Sequence, residues 1–326
     1  MWKSRGNIPR LFNGIIAIAC LSVFDSSAQS YPIKPIRIVV GYPAGGGADI
    51  TARPIAQKLS EYLGQPVIVE NRPGASSSIA IERVVTSPAD GYTLLQLSSP
   101  GITQAALRTK LPYDLERDLA PVSLLTIAPG VFVVHPSLPA RNIKELIALA
   151  RSRPGELNYG SSGTGSTGHF AGELFNLMAK VKITHVPYKG VDVVVATASG
   201  EIEMGVPTIP TALPLIEARK LRALAVTSAK RASIMPSIPT IDESGLSGYD
   251  RSVWFGVVAP AGVPKDIIAR LNAAIGKVMK TPELKKVLNQ QGLELETNTP
   301  EQFAALIRNE IAQSAKLVKA IGLKVE

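Results

Sequence analysis

The chain has 326 residues, of which 45% are hydrophobic, 19% charged and 5% aromatic, so it can bury a sizeable core and is neither fibrous nor wholly disordered. The length favours two lobes over one. The formal net charge of +9 is compatible with nucleic acid, a membrane surface or an anionic small molecule as partner. Cys20 is the single cysteine, which excludes disulfide frameworks, cysteine-rich zinc sites and CxxC redox chemistry.

Residues 1–28 have the order of a cleavable secretory signal. A basic start precedes a mostly apolar, uncharged stretch at 11–24, and Ser26 and Ala28 fit the small-residue positions of a cleavage site. The apolar stretch is shorter than the ~20 residues of a membrane span. Lipidation at Cys20 is the secondary interpretation, because the leucine usual three positions before a lipidated cysteine is absent. We therefore predict an exported protein.

The remaining chain alternates short β-branched runs with segments of helical period, which predicts an α/β fold with crossover units and largely parallel sheets. In chain order, strands are predicted at 36–40, 67–69, 92–97, 131–134, 157–159, 182–186, 202–206, 221–226 and 253–258. Helices are predicted at 51–63, 78–86, 143–152, 169–179, 266–280 and 299–320. Thr299, Pro300 and Gln302 form a capping-box pattern at the start of the last helix.

Two glycine-rich loops each connect a predicted strand to a predicted helix. The first runs from Gly41 to Asp49 and contains three consecutive glycines, and the second runs from Gly160 to His169 and is rich in hydroxyl groups. Glycine lets the backbone approach a ligand closely, and the start of the next helix offers unpaired N–H groups to an anion. An ordinary capped turn is the alternative in each case, but the density of glycine favours anion binding.

Several other chemistries are disfavoured. The glycines at 163, 165 and 168 match a dinucleotide fingerprint, but the next strand ends at 184–188 without the acidic residue that holds the ribose. The three histidines lack zinc-site spacing, so we predict no metal and no cofactor. Ser166 and His169 could form a nucleophile–base pair, but binding is favoured and we predict no enzyme. The basic residues are scattered without interleaved aromatics, which argues against nucleic-acid binding.

Eight segments together resemble one known family. They lie at 31–36, 42–49, 69–75, 88–95, 160–169, 186–190, 220–227 and 256–264. In these segments the chain is similar to the Bug family, the periplasmic solute-binding proteins of tripartite tricarboxylate transporters. The resemblance implies a type II-like periplasmic binding protein with two α/β lobes around a ligand cleft. Lobe 1 would comprise residues 31–130 plus 250–326, and lobe 2 residues 131–249.

The resemblance also implies a site. The family holds mostly small carboxylates through loop backbone, hydroxyls and bridging waters, usually without an arginine clamp. Lobe 1 would contribute Tyr42, Ala44, Gly45, Gly46, Gly47, Asp49, Ser98 and Ser99. Lobe 2 would contribute Ser161, Ser162, Gly163, Gly165, Ser166, Thr167, His169, Tyr188 and Gly190. Asp49 has a structural alternative, because an acid at a helix start stabilises the helix dipole by itself.

The implied function is capture of a small carboxylate in the periplasm by a monomer, and its delivery to the membrane permease subunits of a transporter. The carboxylate could be a di- or tricarboxylate, an aromatic carboxylate or an amino acid. A sensor that docks on the periplasmic domain of a histidine kinase and an exported hydrolase are the alternatives. The chain departs from the family at 191–195, where Gly-Ala-Pro-Ala-Leu is usual, and at 205–206, where a Phe-Asp pair is usual. The second departure removes a carboxylate from the cleft region and leaves the specificity open.

Overall fold

The computed structural model describes residues 1–2, 31–108 and 110–322. The predicted signal sequence, with Cys20, therefore lies outside the described residues except for its first two positions. None of the helices in the described part combines the length and the apolarity that a membrane crossing requires.

Eleven strands and ten α-helices are formed by the described residues. The strands are β1 (Ile36–Val40), β2 (Val67–Asn71), β3 (Thr93–Ser98), β4 (Leu119–Ala128), β5 (Val131–Val134), β6 (Asn158–Ser161), β7 (Thr184–Pro187), β8 (Met204–Gly205), β9 (Arg222–Val226), β10 (Val253–Pro260) and β11 (Glu294–Leu295). The helices are α1 (Gly47–Leu63), α2 (Ser78–Val85), α3 (Ser99–Ala106), α4 (Ile143–Ser152), α5 (Thr167–Ala179), α6 (Asp192–Ser199), α7 (Ile209–Glu217), α8 (Lys265–Val278), α9 (Pro282–Gln290) and α10 (Pro300–Ile321).

The strands form two mixed sheets, each covered by helices, and this confirms the predicted α/β class. The first sheet has the order β11-β4-β10-β3-β1-β2, and the second has the order β7-β6-β8-β5-β9. We call the first sheet with its helices the first lobe, and the second sheet with its helices the second lobe. The first strand shows how a sheet serves two cores: Ile38 and Val40 pack with α1 and α8, whereas Val39 packs with α2 and α10.

The prediction of largely parallel sheets is wrong. Five of the nine pairings are antiparallel, and four of these involve β5 or β10. Both strands follow directly on a chain crossing from the other lobe. They therefore enter their sheets without the helical crossover that makes neighbouring strands parallel.

The two crossings lie side by side. The first passes from Ala128 to Val131, and the second passes from Tyr249, in the core of the second lobe, to Val253, which begins β10. Thr227 N donates to Gly130 O at 3.0 Å, and Gly130 N donates to Thr227 Oγ1 at 2.8 Å. Arg251 N, in the second crossing, donates to Thr227 O at 2.8 Å, so Thr227 links the two crossings. We call the hydrogen-bonded segments 128–131, 226–228 and 250–253 the hinge.

Six elements have no counterpart among the predicted ones: α3, α6, α7, α9, β4 and β11. In three of the helices the sequence contains residues that disfavour helix by local propensity, namely Gly101 in α3, three consecutive valines in α6 and Pro214 in α7. Tertiary packing overrides the propensity there. In contrast, the capping box that starts α10 is confirmed. Gln302 N donates to Thr299 Oγ1 at 3.3 Å, and Thr299 N donates to Gln302 Oε1 at 3.0 Å.

Candidate ligand-binding site

A cavity of about 280 Å³ lies where the hinge meets the second lobe. Its lining combines hinge residues with residues at the beginnings of three helices. The lining residues are Ala128, Gly130, Ser162, Thr167, Gly168, Ala171, Gly190, Val191, Val193, Val206, Pro207, Thr208, Thr211, Thr227, Arg251 and Val253.

Three helix N-termini converge on this cavity. Thr167 and Gly168 begin α5, Val191 precedes α6, and Thr208 precedes α7, which continues through Thr211. The first N–H groups of a helix lack intrahelical partners and carry the positive end of its dipole. No side-chain hydrogen bond caps α6 or α7, and the first turns of α5 and α7 contain no acidic residue, whereas that of α6 contains Asp192. The arrangement therefore favours an anion, without requiring a lysine to bind it.

Arg251 lines the cavity, but most of its hydrogen-bonding capacity is already used. It is 5% exposed and forms a buried ion pair between Nη1 and Glu310 Oε1. Its Nη2 donates to Thr103 Oγ1 at 2.7 Å, and its guanidinium lies 5.6 Å from the Phe170 ring centroid. Its Nε has no hydrogen-bond partner among the described residues. Its charge is thus balanced by Glu310, and its Nε is buried away from the cavity surface.

The second glycine loop is held by a network of neutral groups. Gly165 N donates to His169 Nδ1 at 3.0 Å, and Ser161 Oγ lies 2.7 Å from His185 Nε2. The two imidazoles stack with centroids 3.9 Å apart. Burial lowers the pKa of each histidine from its ordinary 6.5 to about 4, and the neighbouring His169 adds to the effect on His185. Both rings are therefore neutral near pH 7 and add no charge to the site.

Ser166 and His169 do not make the contact that a nucleophile and its base require. The hydroxyl of Ser166 accepts from the backbone N of His169 at 3.2 Å and donates to Ser161 Oγ at 3.1 Å. The Nδ1 of His169 is occupied by Gly165 N. Ser166 acts as the N-cap of α5, a common structural role for serine.

The first glycine loop contains a carboxylate of its own. Asp49 is buried, and its Oδ2 accepts from Gly45 N at 2.9 Å and from Arg53 Nε at 2.8 Å, while Oδ1 accepts from Asn71 Nδ2 at 2.9 Å. The hydrogen bond from Arg53, together with those from Gly45 and Asn71, outweighs burial and lowers the pKa of Asp49 to about 2. The start of α1 therefore carries a permanent negative charge at neutral pH.

Three of the predicted contact residues line the cavity: Ser162, Thr167 and Gly190. The other predicted residues of the second loop lie behind it in the hydrogen-bond network. The predicted residues of the first lobe, Tyr42, Ala44, Gly45, Gly46, Gly47, Asp49, Ser98 and Ser99, are not among its lining residues.

Some of these predicted residues have polar partners within the protein. Tyr42 Oη lies 3.1 Å from Ser98 Oγ, and Ser99 Oγ donates to the carbonyl of Ser252 at 3.2 Å. Tyr188 Oη donates to Glu201 Oε1 at 2.8 Å.

The structure adds lining residues that sequence reasoning missed, among them Thr208, Thr211, Thr227 and Arg251. A threonine two residues before a proline is a helix-start signal, so Thr208 could have been found from Pro210. No local signal marks Arg251, because its partner Glu310 lies 59 residues further along the chain.

The second loop also touches the first lobe. Gln104 Nε2, on α3, donates to Gly165 O at 3.0 Å. Beside it, Leu107, Phe170 and Leu317 form a small apolar cluster between α3, α5 and α10. These contacts connect the loop to the opposite lobe, so they depend on the angle between the lobes.

Two α/β lobes, two adjacent crossings and a cavity at their junction define a two-lobed binding protein of the periplasmic type. The chain belongs to the tripartite tricarboxylate transporter receptor family, whose profile matches residues 51–323. The members of this family are periplasmic solute-binding receptors. Among the described residues, no group of three or more histidine, cysteine or acidic side chains is placed to hold a metal ion.

Relatives of known name and structure match nearly the whole chain. Protein BugT of Bordetella pertussis is 37% identical over 92% of this chain and 93% of its own length. An R. palustris protein solved with adipate is 37% identical, with a TM-score of 0.72 over 90% of this chain and 99% of that one. MatC of Rhodopseudomonas palustris, solved with bound malate, is 30% identical, with a TM-score of 0.69 over 88% of this chain and all of that one.

Proposed function

We propose that this protein is an exported receptor that captures a small carboxylate in the cavity at the hinge and delivers it to the permease of a tripartite tricarboxylate transporter. The observation that carries the proposal is the convergence of the α5, α6 and α7 N-termini on one cavity. Helix ends and backbone N–H groups recognise a carboxylate without a fixed cation.

Further features support the same function. The relatives solved with adipate and malate carry carboxylates. The signal-like order of residues 1–28 fits export to the periplasm. The proposed lobes comprise residues 31–130 plus 250–326 and residues 131–249, and the two crossings between the sheets support these bounds. The cavity touches both crossings, so a ligand would be sensed where the lobes articulate.

The proposal is tested by measuring the unfolding temperature of the mature chain with mono-, di- and tricarboxylates at neutral pH. A ligand at 1,000 times its Kd stabilises the folded state by about 4 kcal/mol, which is an easily measured shift. Absence of a shift with every carboxylate would contradict the proposal.

Ser166→Ala separates binding from hydrolysis. The loss of the α5 cap should weaken binding only a few-fold, because the hydroxyl holds the loop and does not line the cavity. Ser152→Ala, at the end of α4, is the matched control. Ester or amide hydrolysis by the wild-type chain that disappears in Ser166→Ala alone would instead establish a hydrolase.

Delivery is tested by uptake in cells that carry the permease subunits. Deletion of this receptor should abolish uptake of the carboxylate identified in the thermal screen. Unchanged uptake, together with loss of a transcriptional response to the same carboxylate, would favour a sensor that acts through a histidine kinase.

A further inference from the structure

The walls of the cavity are apolar away from the helix ends. The apolar side chains among its lining residues are Ala128, Ala171, Val191, Val193, Val206, Pro207 and Val253. Val191 is 59% exposed and lines the cavity wall. A ligand body in contact with these walls should therefore be a hydrocarbon chain or ring.

Charged partners for a ligand are scarce in this cavity. Arg251 is the one charged residue among the described residues that line it, and its charge is balanced by the buried Glu310. The N-termini of α5 and α7 have no acidic residue in their first turns and are enough to bind one carboxylate, whereas α6 carries Asp192 there. None of these lining residues is acidic, so an ammonium group would lack a counter-charge.

The opposite glycine loop is not free for a second carboxylate. Asp49 already accepts the N–H of Gly45 and lies in the first turn of α1. An external carboxylate at this helix start would meet the charge of Asp49, which a single neighbour, Arg53, offsets. Of the two loops that resemble anion sites, only the second leaves its helix end without an acidic residue in the first turn.

We infer that the ligand of this receptor is a monocarboxylate with an apolar body and no ammonium group. The inference rests on the proposed function and narrows it to one class of carboxylate. A second carboxylate, as in the ligands of the adipate- and malate-bound relatives, would be desolvated in a largely apolar cavity whose one charged lining residue already pairs with Glu310. An amino acid would carry the same penalty on its ammonium group.

The test is calorimetric titration of the mature chain with two matched sets. The aliphatic set is hexanoate, adipate and 6-aminohexanoate, and the aromatic set is benzoate, terephthalate and 4-(aminomethyl)benzoate. In whichever set binds, the monocarboxylate (hexanoate or benzoate) should bind at least ten-fold tighter than the dicarboxylate and the amino acid of the same set. Equal or tighter binding of a dicarboxylate or an amino acid would overturn the inference and leave the proposed function intact. If none of the six compounds binds and the thermal screen is also negative, both fail.

A pair of variants on α6 and its N-cap tests the cause of the selectivity. Val191→Lys adds a cation at the cavity wall and should improve the affinity for the dicarboxylate relative to the monocarboxylate by at least five-fold. Val195→Lys is the control, because Val195 is 63% exposed, lies one turn further along the same segment and is not among the lining residues. An equal change of selectivity in both variants, or none in either, would show that the cavity wall does not set the preference.

Discussion

The two glycine loops have the same sequence character and the same position between a strand and a helix, but the structure gives them different electrostatics. The loop before α1 is held by a charged carboxylate, Asp49, which is bonded to Arg53. The loop before α5 is held by hydroxyls and two stacked neutral histidines. A helix start that already carries an acid is a poor place for a second anion, so glycine content alone does not identify a binding loop.

The largest expected effect is a pH dependence of the free energy of unfolding that comes from the two histidines beside the second loop. His169 and His185 have a pKa of about 4 when folded and about 6.5 when unfolded, so the unfolded chain binds more protons between these values. Their contribution is complete above pH 6.5 and is lost as the pH falls towards 4. We expect each histidine to account for about 2–3 kcal/mol, and the pair for about 4–5 kcal/mol, of the free energy of unfolding lost between pH 7 and pH 4.5.

Urea unfolding at a series of pH values measures this effect. His185→Gln keeps a polar partner for Ser161 and should flatten the pH dependence, whereas Asp49→Asn should keep the slope of the wild type in this range. Equal slopes for the wild type and His185→Gln would contradict the role assigned to the histidines.

Substitution of one glycine in each loop by alanine compares the close contacts of the two loops. Gly165 has a φ of +77°, and a Cβ there would lie 2.6 Å from Gln104 Nε2, whereas Gly45 has a φ of +81° and open space around it. Gly45→Ala should cost about 1–2 kcal/mol from left-handed strain alone. Gly165→Ala should cost about 1 kcal/mol more, because Gln104 must move and give up its hydrogen bond. Chemical unfolding measures both variants. An equal loss of unfolding free energy in Gly45→Ala and Gly165→Ala would show that the contact between Gln104 and the second loop does not contribute to stability.

Asp49→Asn tests the charge of the first loop. The lowered pKa of Asp49 means that its charged form is stabilised by folding, and we expect a loss of about 1–2 kcal/mol at pH 7. This contribution is present above pH 4 and disappears as the pH falls towards 2. Glu61→Gln removes an exposed ion pair on the same helix and should leave the free energy of unfolding almost unchanged. No pH-dependent difference between Asp49→Asn and the wild type would contradict the assignment.

The smallest effect concerns the contact between the second loop and the opposite lobe. Gln104→Ala removes the hydrogen bond to Gly165 O, and we expect a 2–5-fold loss of ligand affinity, equivalent to about 0.5–1 kcal/mol, mainly through faster dissociation. Gln57→Ala, on an exposed face of α1, is the control. Stopped-flow measurement of dissociation decides the outcome, and unchanged dissociation in both variants would exclude a role for this contact.

The alternation of strands and helices could be predicted from the sequence, but the direction of the strands could not. Periodicity located β5 and β10, yet their antiparallel pairing depends on where the chain crosses between lobes. The strand β4 was missed because Pro121 interrupts its pattern, and the ladder with β10 shifts register near Val258, opposite this proline.

The candidate site could be predicted in part. The second loop was recognised from its glycines and hydroxyls, and it supplies Ser162 and Thr167 to the cavity. Thr227 and Arg251 enter the cavity only because the two crossings meet there, and Arg251 is buried only because Glu310 is brought to it by α10. Such pairings at long sequence separation have no local pattern.

The adjacency of the two crossings has a thermodynamic consequence. Gly130 and Thr227 both line the cavity, and with Arg251 they hydrogen-bond the two crossings to each other, so an occupant touches the only segments that connect the two sheets in the described part of the chain. If the ligand and a partner protein each prefer one interlobe angle, their binding is coupled. The partner then changes the affinity of the receptor for the ligand, and the ligand changes the affinity of the receptor for the partner by the same factor. Under the proposed function, docking on the permease would by itself weaken the binding of the carboxylate.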